Sequence, residues 1–455
     1  MPSVASFILA LLIAVISYIL PNSLFSFLLL GALVFIVCLV NIDVGLLVLI
    51  FIMGRLKYIQ VSHFFIYRME VVFAAFFVAF LIAACTRRVR IVLKTPLSIP
   101  FAFFITSMLI SYLFCRHDAR AFTVWLGLLL IYLIVVSLVE RPQQLRLVVY
   151  SLLFVGSAFS LFGLYQHFAG VDAPCNRFHQ DFVVNEEFIR AYSVFGHPNH
   201  FAAYLNLVIP LAFTLFIYEK ARKSIVAGAA FFVSFAAITA TTSRTALVAC
   251  VLGLCMLSGI IIKEKCPEKM KRLAAAWLII VIATVPFFMN GSLQKRFQGI
   301  SAQSVKTLIY GEKIIFQEDP NYGFAQRFLG VQLAYQIIKD HPIRGLGVGE
   351  YRRQSKNYPV KNLEELTYDT FIHNILLHIW IEAGIVALIA FVIALVVYVR
   401  HCLRLLRRSF WVKACFGSFV AYFLNSMFDC PIYDGITLIL GIILAVPFVV
   451  ERMKE

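Results

Sequence analysis

An all-α polytopic transmembrane helix bundle of 12–14 spans is the fold class this sequence predicts, and three observations carry the prediction. First, the 455 residues are 61% hydrophobic and only 14% charged, with a mean hydropathy of +0.88. Soluble domains carry about 25% charged residues, and a water-soluble fold could not hide this much apolar surface. Second, apolar runs of about 17–25 residues, long enough to cross a hydrocarbon core, recur along the whole chain. Third, the positive charge falls into every second short loop, as the positive-inside rule expects of cytoplasmic segments.

The runs lie near 6–20, 24–41, 44–54, 70–86, 98–114, 121–139, 147–168, 199–217, 225–240, 244–262, 274–289, 373–399, 411–428 and 435–450. The run at 44–54 is short for a span. No alternating ten-residue pattern points to a β-barrel. The first run has no basic flank and no small-residue cleavage site, and reads as a retained anchor rather than a signal peptide.

Lys and Arg number 40 against 24 Asp and Glu, a net charge of +16. The surplus gathers as Arg87, Arg88, Arg90 and Lys94; Lys220, Arg222 and Lys223; Lys263, Lys265, Lys269, Lys271 and Arg272; and Arg400, Arg404, Arg407, Arg408 and Lys413. It is a topology signal, not a nucleic-acid surface, and it places both termini in the cytoplasm. The ten cysteines form no CxxC spacing and indicate neither zinc nor redox chemistry.

Three sections follow: a helix bundle over 1–289 with an outer loop at 170–198, a large loop over 290–372 on the non-cytoplasmic side, and C-terminal helices over 373–455. A loop as long as 290–372 is usually functional. Within it, QRFLGVQLAYQIIKD (326–340) sets Leu329, Leu333, Ile337 and Ile338 on one stripe opposite Gln332, Gln336 and Lys339. That is an amphipathic helix, packed on the bundle or lying at the interface, and it ends at Pro342. GLGVG (345–349) reads as a flexible turn. With no preceding strand it is not a dinucleotide fingerprint.

Polar residues at the outer helix ends are the candidates for chemistry, because ionisable groups near the hydrocarbon are costly. Arg244, in TTSRTALVA, suits bidentate binding of an anion, with a snorkelling helix-end arginine as the plain alternative. Arg190, His197, Asn199 and His200 gather where FIRAYSVFGHPNHFAAYL re-enters the membrane at Pro198. N-terminal capping would account for part of that set. His373 opens a long helix and suits general-base work near neutral pH. Asn374 and His378 share a helix face, and Glu382, about 13 Å deeper at 1.5 Å per residue, needs a partner such as His378. Arg344, Arg352 and Arg353 are placed to guide an anionic substrate, or form a solvated basic loop.

His373-Asn374, nine residues, then Gly384 resembles the H-[NSQ]-x9-G pattern of bacterial O-antigen ligases and related polysaccharide polymerases. Ala387 stands where that pattern continues with Gly, Thr or Tyr. GHPNHFAAYL (196–205), SRTAL (243–247) and QRFLGVQLAYQIIKDHPIRGLGVGEY (326–351) resemble that family's re-entry segment, Ser-Arg helix start and loop helix, so the resemblance covers about residues 150–400.

What the resemblance implies is a GT-C-like glycosyltransferase of the bacterial inner membrane, its active site facing the periplasm. The donor would be a glycan on undecaprenyl diphosphate. A ligase would use lipid A–core as acceptor, a polymerase a second lipid-linked glycan, and a protein-glycosylating ligase is a further option. Transfer would invert the anomeric centre. In that chemistry the leaving diphosphate needs its charge stabilised, which suits Arg190, Arg244 and Arg327, and the acceptor hydroxyl needs a base, which suits His373. Asn374, His197, Asn199 and Arg344 would contact substrate. The outer loops contain no Asp-x-Asp, so catalysis is expected without a metal or other cofactor. A lipid-linked sugar transporter is the rival from another class, but no paired half-repeat of the kind transporters often show is present.

Overall fold

The computed structural model describes residues 4–53, 58–61, 64–115, 119–171, 183–185, 188–289, 291, 322–358, 372–432 and 434–453. Helices dominate them. In chain order they are α1 (Val4–Ile19), α2 (Leu24–Val40), α3 (Ile42–Phe51), α4 (Arg68–Cys85), α5 (Ser98–Cys115), α6 (Ala119–Leu138), α7 (Pro142–Ala169), α8 (Pro198–Tyr218), α9 (Ala221–Ala240), α10 (Arg244–Ile262), α11 (Pro267–Met289), α12 (Tyr322–Asp340), α13 (Tyr351–Gln354), α14 (Ile375–Leu405), α15 (Phe410–Ser426) and α16 (Asp434–Arg452). Two antiparallel two-stranded ribbons, β1 (Tyr58–Val61) with β2 (Phe64–Tyr67) and β3 (Val183–Asn185) with β4 (Phe188–Ile189), lie between them.

Every apolar run read from the sequence overlaps one of these helices, and most agree with its bounds to within two residues. Among the described residues nine are long and apolar enough to cross a membrane by themselves; α1, α2, α3 and α5 are shorter apolar helices. The 12–14 expected from the sequence includes such shorter runs. Residues 292–321 and 359–371, most of the large loop, lie outside the described residues, as do 172–182 of the loop at 170–198.

α8 is the hub. Phe201, Tyr204, Leu205, Leu207, Val208, Ile209, Leu211 and Phe213 are all fully buried, because α15, α9, α10 and α7 pack around this helix. In a bilayer the apolar faces gain little from leaving lipid, so close approach of small residues does the work. Gly253 of α10 meets Ala421 of α15, where an added Cβ would come within 3.0 Å of the alanine Cβ, and Gly417 of α15 lies under Leu257 of α10. On the perimeter, apolar side chains such as Phe103, Leu252, Val281 and Ile389 stand exposed. Exposed apolar surface on this scale marks contact with a partner or membrane, and here it faces lipid.

At the bundle end that carries the basic clusters, Glu264 holds three helices together. It accepts hydrogen bonds from Tyr218, Lys269 and Lys413. Burial alone would raise its carboxyl, but these donors outweigh burial and bring it down to about 2. A depressed carboxylate contributes stability above its ordinary value that is lost as pH falls through the lowered one. The melting temperature of the wild type is therefore expected to drop between about pH 4.5 and pH 2 more steeply than that of Glu264→Gln, read by thermal unfolding across a pH series. Parallel curves would refute the assignment.

Candidate active site

The opposite end of the bundle gathers the candidate residues, and the chain is bent locally to do it. His373 sits just before α14. Asn374 is that helix's N-cap: its Oδ1 accepts from the backbone N–H groups of Leu376 and Leu377 at 3.0 and 3.1 Å, and its Nδ2 donates to the carbonyl of Met427 at 3.1 Å. Asparagine is a preferred N-cap because its short side chain reaches those orphan donors. The same side chain ties the start of α14 to the turn after α15.

That turn supplies a residue the sequence reading did not single out. His373 Nδ1 donates to Oδ1 of Asp429 at 3.2 Å. Arg327, on α12, donates through Nε to the carbonyl of Phe428 at 2.6 Å and brings a terminal nitrogen to 4.0 Å from Asp429 Oδ2. Asp429 is buried. Burial would raise its carboxyl, but the His373 hydrogen bond and the charges of His373, Arg327 and His197 outweigh that and hold it well below the usual carboxylate range. An anion at Asp429 fixes the histidine tautomer with the proton on Nδ1, leaving Nε2 as the basic nitrogen.

His197, close enough to Asp429 for their charges to interact, is the N-cap of α8. Its Nδ1 accepts from the Asn199 N–H at 3.1 Å, and its ring lies 4.9 Å from that of His200. Arg190 precedes it on the loop, donating through Nε to the carbonyl of Thr241 at 3.0 Å and through a terminal nitrogen to Oδ1 of Asn199 at 3.2 Å. Thr241 begins the turn between α9 and α10. The next residue, Thr242, has φ +50°, a left-handed conformation that is a genuine outlier for a β-branched residue. This sharp turn sets Arg244 at the first position of α10, within electrostatic reach of Arg327. Arg190, Asn199, His197, Asp429, His373, Arg327 and Arg244 thus form one connected chain of neighbours. Arg344 is exposed on its turn, with no described hydrogen bond to the set.

Two supports hold this arrangement. Gln166 of α7, fully buried, clasps Ser193: its Nε2 donates to the serine carbonyl at 3.2 Å and its Oε1 accepts the serine N–H at 2.7 Å. Gln166→Leu would strand two buried backbone groups. Each costs about 1–3 kcal/mol, so an overall loss of roughly 2–6 kcal/mol is expected in thermal unfolding, and a Tm equal to wild type would contradict it.

The second support is a break in α14. Gly384 has φ +81° and ψ 179°, and the docked turn after α12 fills the gap. Leu346 N–H donates to Ile381 O at 2.6 Å, Gly347 N–H to Glu382 O at 3.0 Å, and Ile385 N–H to Ile343 O at 3.2 Å. Ser111 of α5 adds a hydroxyl to Glu382 O at 2.8 Å. Backbone groups freed inside a membrane protein must find partners, and here they do. GLGVG is therefore a pinned turn rather than a flexible one, with Leu346 and Val348 buried. The helix before it packs on the bundle through Leu333, Ala334 and Ile337, which settles the choice between packing and lying at the interface. Between the start of α14 and the break, His378 Nε2 and Glu382 Oε2 stand 3.7 Å apart, both buried.

Among the described residues no three His, Cys, Asp or Glu side chains are grouped to hold a metal ion. No curated protein matches the chain. Residues 229–392 match the family model described as O-antigen ligase, a segment that contains Arg244, Arg327, Arg344, His373, Asn374 and Gly384 but stops short of Asp429 and begins after Arg190. Over residues 229–392 the chain is thus similar to the O-antigen ligase family, within a multi-pass membrane bundle.

Proposed function

We propose that this protein transfers a glycan from undecaprenyl diphosphate to an acceptor hydroxyl at the periplasmic face of the bacterial inner membrane, as an O-antigen ligase with lipid A–core as acceptor. The observation that carries the reading is the His373–Asp429 pair with Arg327 against it, on the rim that also holds Arg244 and Arg190. His373 Nε2 takes the proton of the acceptor hydroxyl as its oxygen attacks the anomeric carbon. The bond from that carbon to the diphosphate oxygen breaks in the same displacement, and the configuration inverts. The departing diphosphate gathers negative charge, which guanidinium groups are suited to hold bidentately. The arginines take the part a cation would play, so the reaction proceeds without a metal. The basic clusters at the far end of the bundle support the orientation, with both termini in the cytoplasm.

The test is reconstitution of the full chain with a lipid-linked glycan and lipid A–core. Product is expected, unchanged by EDTA. Arg244→Ala is expected to lower turnover by roughly a hundred- to a thousandfold, the scale of losing one group that stabilises developing charge. Abolition by EDTA would end the arginine-for-cation argument. Acceptance of a second lipid-linked glycan in place of lipid A–core would make the protein a polymerase.

A further inference from the structure

The stretch that carries Arg190 is held from two sides. On one side Ala191 N–H donates to Ala240 O at 3.0 Å, and Arg190 Nε to Thr241 O at 3.0 Å. These bonds tie it to the turn that also sets Arg244. On the other side lies the last part of α7. Gly163 lets that helix come close: an added Cβ would stand 2.6 Å from the Phe201 ring and 3.6 Å from the Cβ of Ala191.

One residue of α7 acts on the backbone of Arg190 itself. His167, in the last turn of α7 and fully buried, places Nδ1 2.7 Å from the carbonyl oxygen of Ile189. A carbonyl oxygen only accepts, so Nδ1 carries the hydrogen. That carbonyl belongs to the peptide unit joining Ile189 to Arg190. The unit is planar, so fixing its oxygen fixes the direction in which the chain enters Arg190. The donor is itself locked. Phe168 and Phe287 pack against the imidazole with ring centroids 5.0 and 5.3 Å away, one from α7 and one from α11. With His167 on the peptide before Arg190 and Ala240 on the N–H after it, the backbone from which the guanidinium extends has its direction set on both sides.

We infer that His167 is a positioning residue for Arg190: it touches no substrate and holds the guanidinium in register with Arg244, so that the two act together on one anionic group. The inference rests on the glycosyl-transfer reading above, in which the rim arginines hold charge on the departing diphosphate. Groups that stabilise developing charge work because they are in place before the charge appears, and a residue that keeps one of them in place acts on the same step.

The experiment uses the reconstituted full chain and three substitutions. His167→Phe keeps a ring and removes the donor. It is expected to lower kcat roughly ten- to a hundredfold, a misplacement of about 1 Å costing up to about the latter. In an Arg190→Ala background the same change is expected to leave kcat where it was, although it lowers the Tm in both backgrounds. An equal loss of kcat in both backgrounds would make His167 merely structural and overturn the inference. His167→Asn carries its amide nitrogen on Cγ, where Nδ1 is carried, and is expected to restore most of the rate; His167→Gln carries it one bond further out and is expected not to. Should the phenylalanine variant not fold, this pair decides, and equal kcat in the two overturns the inference.

A binding measurement separates this inference from the reading beneath it. The affinity for inorganic diphosphate, measured by calorimetry without turnover, is expected to fall in His167→Phe and to fall no further in His167→Phe with Arg190→Ala than in Arg190→Ala alone. Independent, additive losses would overturn the inference here as well. A wild type that binds diphosphate in this His167-dependent way yet transfers no glycan would defeat the transfer reading and leave the positioning in place.

Discussion

His373→Ala is expected to lower glycan transfer by roughly a hundred- to ten-thousandfold, the usual contribution of a positioned general base, while the protein folds and binds donor as before. The loss should fall on kcat, because the imidazole acts on a proton that moves only in the transition state. Asp429→Asn should lie between wild type and His373→Ala. Its amide keeps the size of the side chain but no longer presents an anion to the Nδ1 proton, so the imidazole loses its preferred tautomer and the stabilisation of its charged form. Arg327 would lose an anionic neighbour at the same time. Initial rates with purified variants in proteoliposomes decide this. Full activity in His373→Ala would remove the base from the scheme, and a normal kcat in Asp429→Asn would reduce that residue to a structural tie.

How much of this was legible beforehand follows from where each signal lives. The helices were legible because each is a continuous apolar run, and a run is a local property. His373 was legible because a polar pair at the mouth of a long apolar helix, with a glycine at fixed spacing, is also local. Asp429 was not. It lies 56 residues from its partner, in a short turn with no motif around it, and only the packing of α15 against the start of α14 makes it a neighbour. One signal was available: an acid in MFDCPIYD, on a rim with few charges, needs a cationic partner if it is to stay ionised near the membrane. Asn374 carries the mark of an N-cap in its position before an apolar run, and its three hydrogen bonds give it that structural task. The GLGVG turn misled for a related reason. Glycines promise conformational freedom, but whether it is spent on motion or on close approach depends on what the backbone meets.

Gly384 is where that close approach is most demanding, and Gly384→Ala is the second change expected to have a large effect. An added Cβ would stand 1.9 Å from the carbonyl oxygen of Ile343 and 2.7 Å from its carbonyl carbon, so it would collide with backbone rather than with a side chain that can swing away. The residue also occupies φ +81°, ψ 179°, a region open essentially to glycine alone, where other residues cost of order 1–3 kcal/mol. Overpacking adds a similar amount, giving a loss of roughly 2–6 kcal/mol. The turn at 343–347 would have to lift from the break in α14, freeing the carbonyls of Ile381 and Glu382 and loosening the tie between α12, which carries Arg327, and the helix that begins after His373. Thermal unfolding should show the loss, and protease should cut the turn faster. Gly330→Ala is the control: this glycine lies in α12 with nothing within 4 Å of its would-be Cβ, and alanine there should stabilise the helix by up to about 1 kcal/mol. If Gly384→Ala melts and transfers as the control does, the glycine in the His-Asn-x9-Gly pattern owes its place to something other than this docked turn.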